Sequence, residues 1–258
     1  MLVERRLILI TGASGAIGGA LALAYAEPGV ELMLNGRNRQ ALEALAGRCL
    51  ALGAEVTLSP HDLTDTDALL RWLETLRDAR LPDLVILAAG INISHQPDGN
   101  GEGVDAASRL MTLNLRVPMR IAQELAPRMQ ARGSGQIVFI SSLAAWHGLP
   151  ATPSYSASKA GIKAYGEALR GWLAPHGVGV TVVMPGYVAS AMAHGMPGPK
   201  PWLWSAERAA RVIRRGVQRN RARISFPFPL AFGTWCLAVL PAGLAQRLVG
   251  WFGYGVKP

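Results

Sequence analysis

Short apolar runs alternate with longer stretches of helical periodicity along most of the chain. Residues 7–11, 31–34, 55–58, 84–88, 136–141, 178–184 and 222–226 read as strands. The run at 84–88 is apolar throughout, the pattern of a strand covered on both faces. Between the strands, residues 17–26, 39–52, 65–80, 153–175 and 206–219 have helical composition. Leu42, Leu45 and Ala46 are the apolar positions of the second of these helices, and Thr64 or Asp65 stands where a cap of the third belongs. A long helix is expected at about 106–132, with Pro118 and Pro127 placed to kink or divide it. Alternation of strand and helix implies a parallel sheet with right-handed crossovers. The expected fold class is α/β, a doubly wound parallel sheet of about seven strands with helices on both faces. One domain spans residues 1–225, and an apolar extension follows at 226–258.

A chain of 258 residues is long enough for one large α/β domain. With half its residues hydrophobic and 17% charged, it is a folded globular chain and not a disordered one. Cys49 and Cys236 do not make a disulfide framework, and no Cys/His cluster has metal-ligand spacing. No metal is therefore expected, and a cytoplasmic setting is. Residues 1–7 lack the apolar region and cleavage site of a signal peptide. The formal net charge of +9 raises an anionic partner, but no nucleic-acid-binding motif accompanies it, so nucleic acid is not an expected partner.

The link between the first strand and first helix reads Thr11-Gly12-Ala13-Ser14-Gly15-Ala16-Ile17-Gly18. Gly12 permits a sharp turn, Gly15 removes a side chain where a pyrophosphate must approach, and Gly18 lets the helix pack close to the sheet. The free N–H groups and positive dipole end of that helix suit phosphate. After the first strand of a βαβ unit, this is a dinucleotide-binding pattern. An NAD site usually ends its second strand with an acidic residue for the ribose 2′-OH. Here that end reads Asn35-Gly36-Arg37-Asn38, with no carboxylate and with a guanidinium suited to a 2′-phosphate. The expected cofactor is NADP(H) in preference to NAD(H).

Together with that turn, Tyr155-Ser156-Ala157-Ser158-Lys159 resembles the short-chain dehydrogenase/reductase family. Over about the first 225 residues the motifs follow the family's order: the turn, Asp62-Leu63, Ala88-Ala89-Gly90, Asn114, Ile140-Ser141-Ser142, the Tyr/Lys pair and Pro185-Gly186. The resemblance implies a Rossmann-type fold, assembly as a homodimer or homotetramer, and an oxidoreductase that interconverts a carbonyl and a secondary alcohol. It implies Tyr155 as the acid/base and Lys159 as the residue that binds the nicotinamide ribose and lowers the tyrosine pKa. Ser142, in preference to its neighbour Ser141, would hold the substrate oxygen, and Asn114 a water of the proton relay. Thr11, Gly12, Ser14, Gly15, Ala16, Ile17 and Gly18 would line the cofactor turn. Arg37, Asp62, Leu63, Ala89, Gly90, Pro185, Gly186, Val188 and Ser190 would add further cofactor contacts, Asp62 at the adenine. Three positions depart from the family pattern: Ala16 replaces a usual glycine, Ala88 a usual asparagine, and Ser190 a frequent threonine.

These residue types suit the chemistry. A free tyrosine titrates near ~10, too high for ready exchange at neutral pH, and a nearby cation favours its phenolate. Positions i and i+4 share a helix face, so Tyr155 and Lys159 lean toward one spot. Ser142 can donate to the oxygen that gains charge during reduction. His147, just past Ser142, is a candidate to bind a polar group of the substrate, and His95 and Gln96 are candidates to face the same cleft. Residues 191–204 follow the sixth strand and should cover the cleft, with Met192 and Trp202 as candidate substrate contacts for a hydrophobic small molecule. The tail is rich in Phe, Trp, Leu and Ala, and its run 230–240 is shorter than a spanning helix needs. It is expected to pack over the pocket or a second subunit, or to make peripheral contact with an anionic membrane. The alternative to an enzyme is an NADP(H)-binding sensor or scaffold without turnover.

Overall fold

A computed structural model of the protein describes residues 5–93, 101–196 and 198–254. The elements run β1 (Arg6–Thr11), α1 (Ala16–Tyr25), β2 (Val30–Asn35), α2 (Arg39–Ala51), β3 (Glu55–Ser59), α3 (Thr66–Asp78), β4 (Leu84–Leu87), α4 (Val104–Met111) and α5 (Val117–Arg132). They continue with β5 (Gly135–Ile140), α6 (Pro153–Leu173), β6 (Val178–Pro185), α7 (Ala191–Gly195), α8 (Ala206–Gln218), β7 (Arg223–Phe226), α9 (Phe228–Val239) and α10 (Ala242–Val249). The sheet is parallel throughout, in the order β3-β2-β1-β4-β5-β6-β7. The strand order reverses between β1 and β4, which opens a crevice at their carboxyl ends.

The period of two along each strand sends alternate side chains to opposite cores. Ile8, Ile10, Ile86 and Val138 join α1, α2 and α8 on one face. Leu9, Val85, Leu87, Ile137 and Phe139 join α3, α5 and α6 on the other. Each fully buried side chain of this kind contributes about 1.5–3 kcal/mol. Helix α6 lies close on the sheet because Gly166 has no side chain: a Cβ there would stand 2.7 Å from Val182 Cγ2. At the start of α3, Asp65 accepts a hydrogen bond from the Ala68 N–H, as its place in the sequence predicts.

The long helix expected at 106–132 is two α-helices, α4 and α5, joined by a π turn over Thr112–Arg116. Pro118 explains the change. It has no N–H to offer the carbonyl four residues back, that of Asn114. The π turn shifts the register, so that the Val117 N–H goes to the Thr112 carbonyl. Pro127 lies inside α5 and does not divide it.

In the tail the prolines start helices rather than interrupt one. Pro227 and Pro241 cap α9 and α10, and Pro229 lies in the first turn of α9. Leu230 and Ala231 of α9 pack on Leu143, Val182 and Met184. Among the described residues, no helix is long and apolar enough to cross a membrane.

Candidate active site

The turn after β1 is built by backbone proximity. Gly12 has φ +67°, and a Cβ on it would stand 2.7 Å from Ala89 Cα and N. The turn therefore lies directly on the residues that leave β4, and the Ala89 N–H donates to Thr11 Oγ1 at 3.3 Å. A Cβ on Gly18 would collide with the Gly12 carbonyl oxygen. Gly15 caps α1 without a side-chain hydrogen bond, and the first turn holds no acidic residue. The N–H groups of Ala16, Ile17 and Gly18 are thus left to an anion arriving from the crevice. Such a cradle fits a dinucleotide pyrophosphate.

The end of β2 is tied to this turn. Asn35 accepts a hydrogen bond from the Ala13 N–H through its carbonyl and donates from its side chain to the Ser59 carbonyl at 2.8 Å. A Cβ on Gly36 would stand 2.7 Å from Ser14 Oγ. Arg37 is half exposed, with Nη1 4.0 Å from Asp62 Oδ2. Arg109 of α4 donates to the same carboxyl oxygen at 2.8 Å. Burial alone would raise the Asp62 pKa, but two hydrogen bonds from Thr64 and the charges of Arg109 and Arg37 outweigh it and hold the carboxyl below its ordinary value. Nothing in the sequence singled out Arg109, because its partner is 47 residues away. Leu63 is buried among the side chains of the α3/α5 face, so its side chain serves the core rather than the crevice.

The reactive groups converge from β5, α6 and the π turn. Ser142 stands near enough to the Tyr155 phenol to pull its pKa down, and its hydroxyl accepts from the Ala144 N–H at 3.1 Å. Ser141 is buried, and its hydroxyl donates to the Lys159 carbonyl at 2.7 Å, so the structure separates the two serines by role. Lys159 Nζ donates to the Ile140 carbonyl at 3.0 Å and lies 5.5 Å from the centre of the Tyr155 ring. A Cβ on Gly90 would stand 3.1 Å from Asn114 Oδ1 and 3.4 Å from Lys159 Nζ, so the glycine keeps this corner open.

One expectation changes here. Among protein groups alone, burial pushes the Tyr155 phenol up, and Ser142 only partly opposes it. Burial also lowers Lys159 to about 8, so the buried ammonium does not by itself bring the phenol down. The Asn114 amide is committed to backbone: Oδ1 accepts from the Ile91 N–H at 2.9 Å, and Nδ2 donates to the Ile91 carbonyl at 2.8 Å. Its Nδ2 also reaches Ser158 Oγ at 3.3 Å. The Asn114 side chain thus clamps the segment leaving β4 beside Lys159.

Tyr155 packs with Leu110 and Ala144, and Ile91, Ile93 and Leu149 lie against them. This apolar wall comes from two loops and α4, and no local pattern announces it. His147 lines a cavity of about 550 Å³ with Trp146, Ala157, Ala160 and Gln246, and this cavity shares Ala144 and Leu149 with the wall around Tyr155. Ala157 and Ala160 lie on the side of α6 away from Tyr155. The imidazole Nε2 is buried there without a hydrogen-bond partner among the described residues.

The expected cover is tied down at its root. Val188 bridges to Trp204, the Ala189 N–H donates to the Trp204 carbonyl at 2.9 Å, and Trp204 stacks on Phe226 at 4.8 Å. The Val188 side chain is buried in the core, and the Ser190 hydroxyl caps α7 through the Ala193 N–H, so neither side chain is left free for a cofactor. Pro185 ends β6, and the Gly186 N–H donates to the Phe226 carbonyl at 2.7 Å. Met192 and Trp202 are exposed. His95 and Gln96 lie outside the described residues.

A sheet of this order takes its ligand between β1 and β4. The groups gathered there, a phenol, an ammonium and a hydroxyl beside a phosphate cradle, are suited to moving a proton while a dinucleotide moves a hydride. That defines the class as a nucleotide-dependent oxidoreductase. The chain belongs to the short-chain dehydrogenase family, whose model matches residues 6–198. It is 33% identical over 247 residues to an uncharacterized oxidoreductase of Myxococcus xanthus, covering 94% of this chain and 97% of that one. It is 31% identical over 193 residues to a dehydrogenase/reductase SDR family protein 7-like of Drosophila melanogaster, covering 73% of this chain and 59% of that protein. Among solved structures, a short-chain dehydrogenase from Sphingobium yanoikuyae in complex with NADPH superposes with a TM-score of 0.82, at 27% identity, over 95% of each chain.

Proposed function

We propose that the protein is an NADP(H)-dependent oxidoreductase that interconverts a carbonyl and a secondary alcohol on a hydrophobic small molecule. The observation that carries the reading is the meeting of Ser142 and Lys159 at the Tyr155 phenol, with Lys159 Nζ 5.5 Å from the ring centre. In reduction, the Tyr155 phenol gives its proton to the carbonyl oxygen. Ser142 donates to the same oxygen as its charge grows. Lys159 favours the phenolate left behind. A bound nicotinamide supplies the hydride to the carbonyl carbon, or takes it in reverse. Ile91, Ile93, Leu110 and Leu149 beside the phenol favour an apolar substrate.

Preference for NADP(H) rests on Arg37 and on the lack of a carboxylate at the end of β2, where Asn35 turns its side chain to Ser59. Arg109 adds a second cation near that corner. The remaining family features, a homodimer or homotetramer in the cytoplasm, suit the free thiols of Cys49 and Cys236. Light scattering of the purified chain checks the assembly.

The test is a panel of apolar ketones and secondary alcohols assayed by NADPH and NADH absorbance. Turnover of panel members with kcat/KM at least about tenfold higher for NADPH is expected. Tight NADPH binding with no turnover across the panel would point instead to a sensor.

A further inference from the structure

The charge of this chain is confined to one end. Residues 1–207 carry equal numbers of basic and acidic side chains, and the whole formal charge of +9 lies beyond Glu207, where no Asp or Glu occurs. Arg208, Arg211, Arg214 and Arg215 lie on α8, and Arg219 and Arg221 lead to Arg223 on β7. Arg214 pairs with Glu27 and Arg223 with Glu167. Arg211, Arg215, Arg219 and Arg221 are exposed.

β7 is the edge strand of the sheet; α8 leads into it and α9 leads away. Helix α9 carries no charged side chain. Phe228, Phe232, Trp235 and Val239 follow one another at i, i+4, i+7 and i+11, a single helical face, and are 78%, 54%, 44% and 64% exposed. The rings form a continuous row, with centres 6.1 Å apart for Phe228 and Phe232 and 6.0 Å for Phe232 and Trp235. Beyond them Leu244, Trp251 and Phe252 are exposed as well. The core-facing side of α9 is separate, since Leu230 and Ala231 already pack on Leu143 and Met184. The outer side of such a helix is ordinarily polar.

Among the described residues, none covers the stripe. A second copy meeting it about a twofold axis would set the same basic edge against itself. A surface that is apolar within and anionic outside meets both features at once. We propose that the β7 edge docks on an anionic lipid bilayer, with the aromatic row of α9 in the interfacial layer and the arginines between α8 and β7 at the headgroups. Because α9 touches Leu143, next to Ser142, the bilayer would lie about one helix diameter, ~10 Å, from the loop that carries the serine.

The full chain is floated with vesicles of phosphatidylcholine alone or mixed with phosphatidylserine. It is expected to rise with the anionic vesicles, to bind neutral ones far less, and to be released as NaCl goes from about 0.1 to about 0.5 M. Phe232→Ser with Trp235→Ser should lower the floated fraction about tenfold or more, with NADPH binding and melting temperature unchanged. Arg219→Glu with Arg221→Glu should lower it on anionic vesicles. Should the double serine variant misfold, Phe228→Ser alone gives the same reading. Wild-type protein that never floats, or a serine variant that floats like wild type, overturns the proposal. So does light scattering in which the serine variant loses a subunit while flotation is nil, which assigns the stripe to a second copy.

Discussion

The two ends of this molecule are built in opposite ways. At the nucleotide end, backbone meets backbone: Gly12 on Ala89 and Gly18 on the Gly12 carbonyl. At the substrate end, side chains from distant segments make the surface: Leu110, Ala144 and Leu149 around Tyr155, and Leu230 on Leu143. A backbone approach constrains a single position to glycine and leaves a mark in the chain that can be read locally. A side-chain wall tolerates many apolar residues and leaves no such mark. The first arrangement serves a ligand of fixed shape, and the second leaves room for substrates to differ.

The sharpest way to break the nucleotide end is to add one methyl group. Gly18→Ala places a Cβ on the Gly12 carbonyl. NADPH affinity should fall by roughly two orders of magnitude, read by fluorescence titration, because the turn must open to accept it. A smaller and more selective effect is expected from Arg37→Glu. It places a carboxylate where a ribose hydroxyl would be held and removes the cation near Asp62. The kcat/KM for NADPH should fall about thirtyfold or more while that for NADH holds or rises. Equal losses with both cofactors would remove Arg37 from specificity.

The smallest expected effect lies where the two ends meet. Burial holds Lys159 at about 8, below its ordinary 10.5. Between those values the unfolded chain binds the additional proton, so stability from this group rises with pH through the window and is lowest below 8. Lys159→Met removes the buried charge. It should stabilise the cofactor-free protein by about 2 kcal/mol at pH 7, measured by urea denaturation. That gain should vanish as the pH approaches 10.5. A gain that does not change with pH would mean that packing, not charge, sets it.

Much of the architecture was legible because a sheet covered on both faces shows as apolar runs between periodic helices. The strands lie within one or two residues of the runs that predict them, and Asp65 caps α3 as expected. The π turn was not legible, because Pro118 in the first turn of a helix and Pro118 after a π turn look alike in sequence. The Tyr155, Lys159 and Ser142 cluster was legible from spacing and family order, and the geometry brings the three together. Arg109 was missed because its role depends on a contact across 47 residues. His147 lines a cavity that runs from Ala144 and Leu149 to Gln246, and the part that α10 plays in it was not legible because no local pattern joins Gln246 to this loop. Asn114 was found, but its amide serves Ile91, a role that only tertiary packing sets.

The most direct test is the Tyr155→Phe protein, with NADPH oxidation followed in the presence of a substrate from the panel and NADPH affinity measured beside it. Loss of the phenolic proton donor should lower turnover about a thousandfold or more. Cofactor affinity should stay within about threefold, since the glycine cradle is untouched. Turnover within tenfold of the wild-type protein would contradict the account.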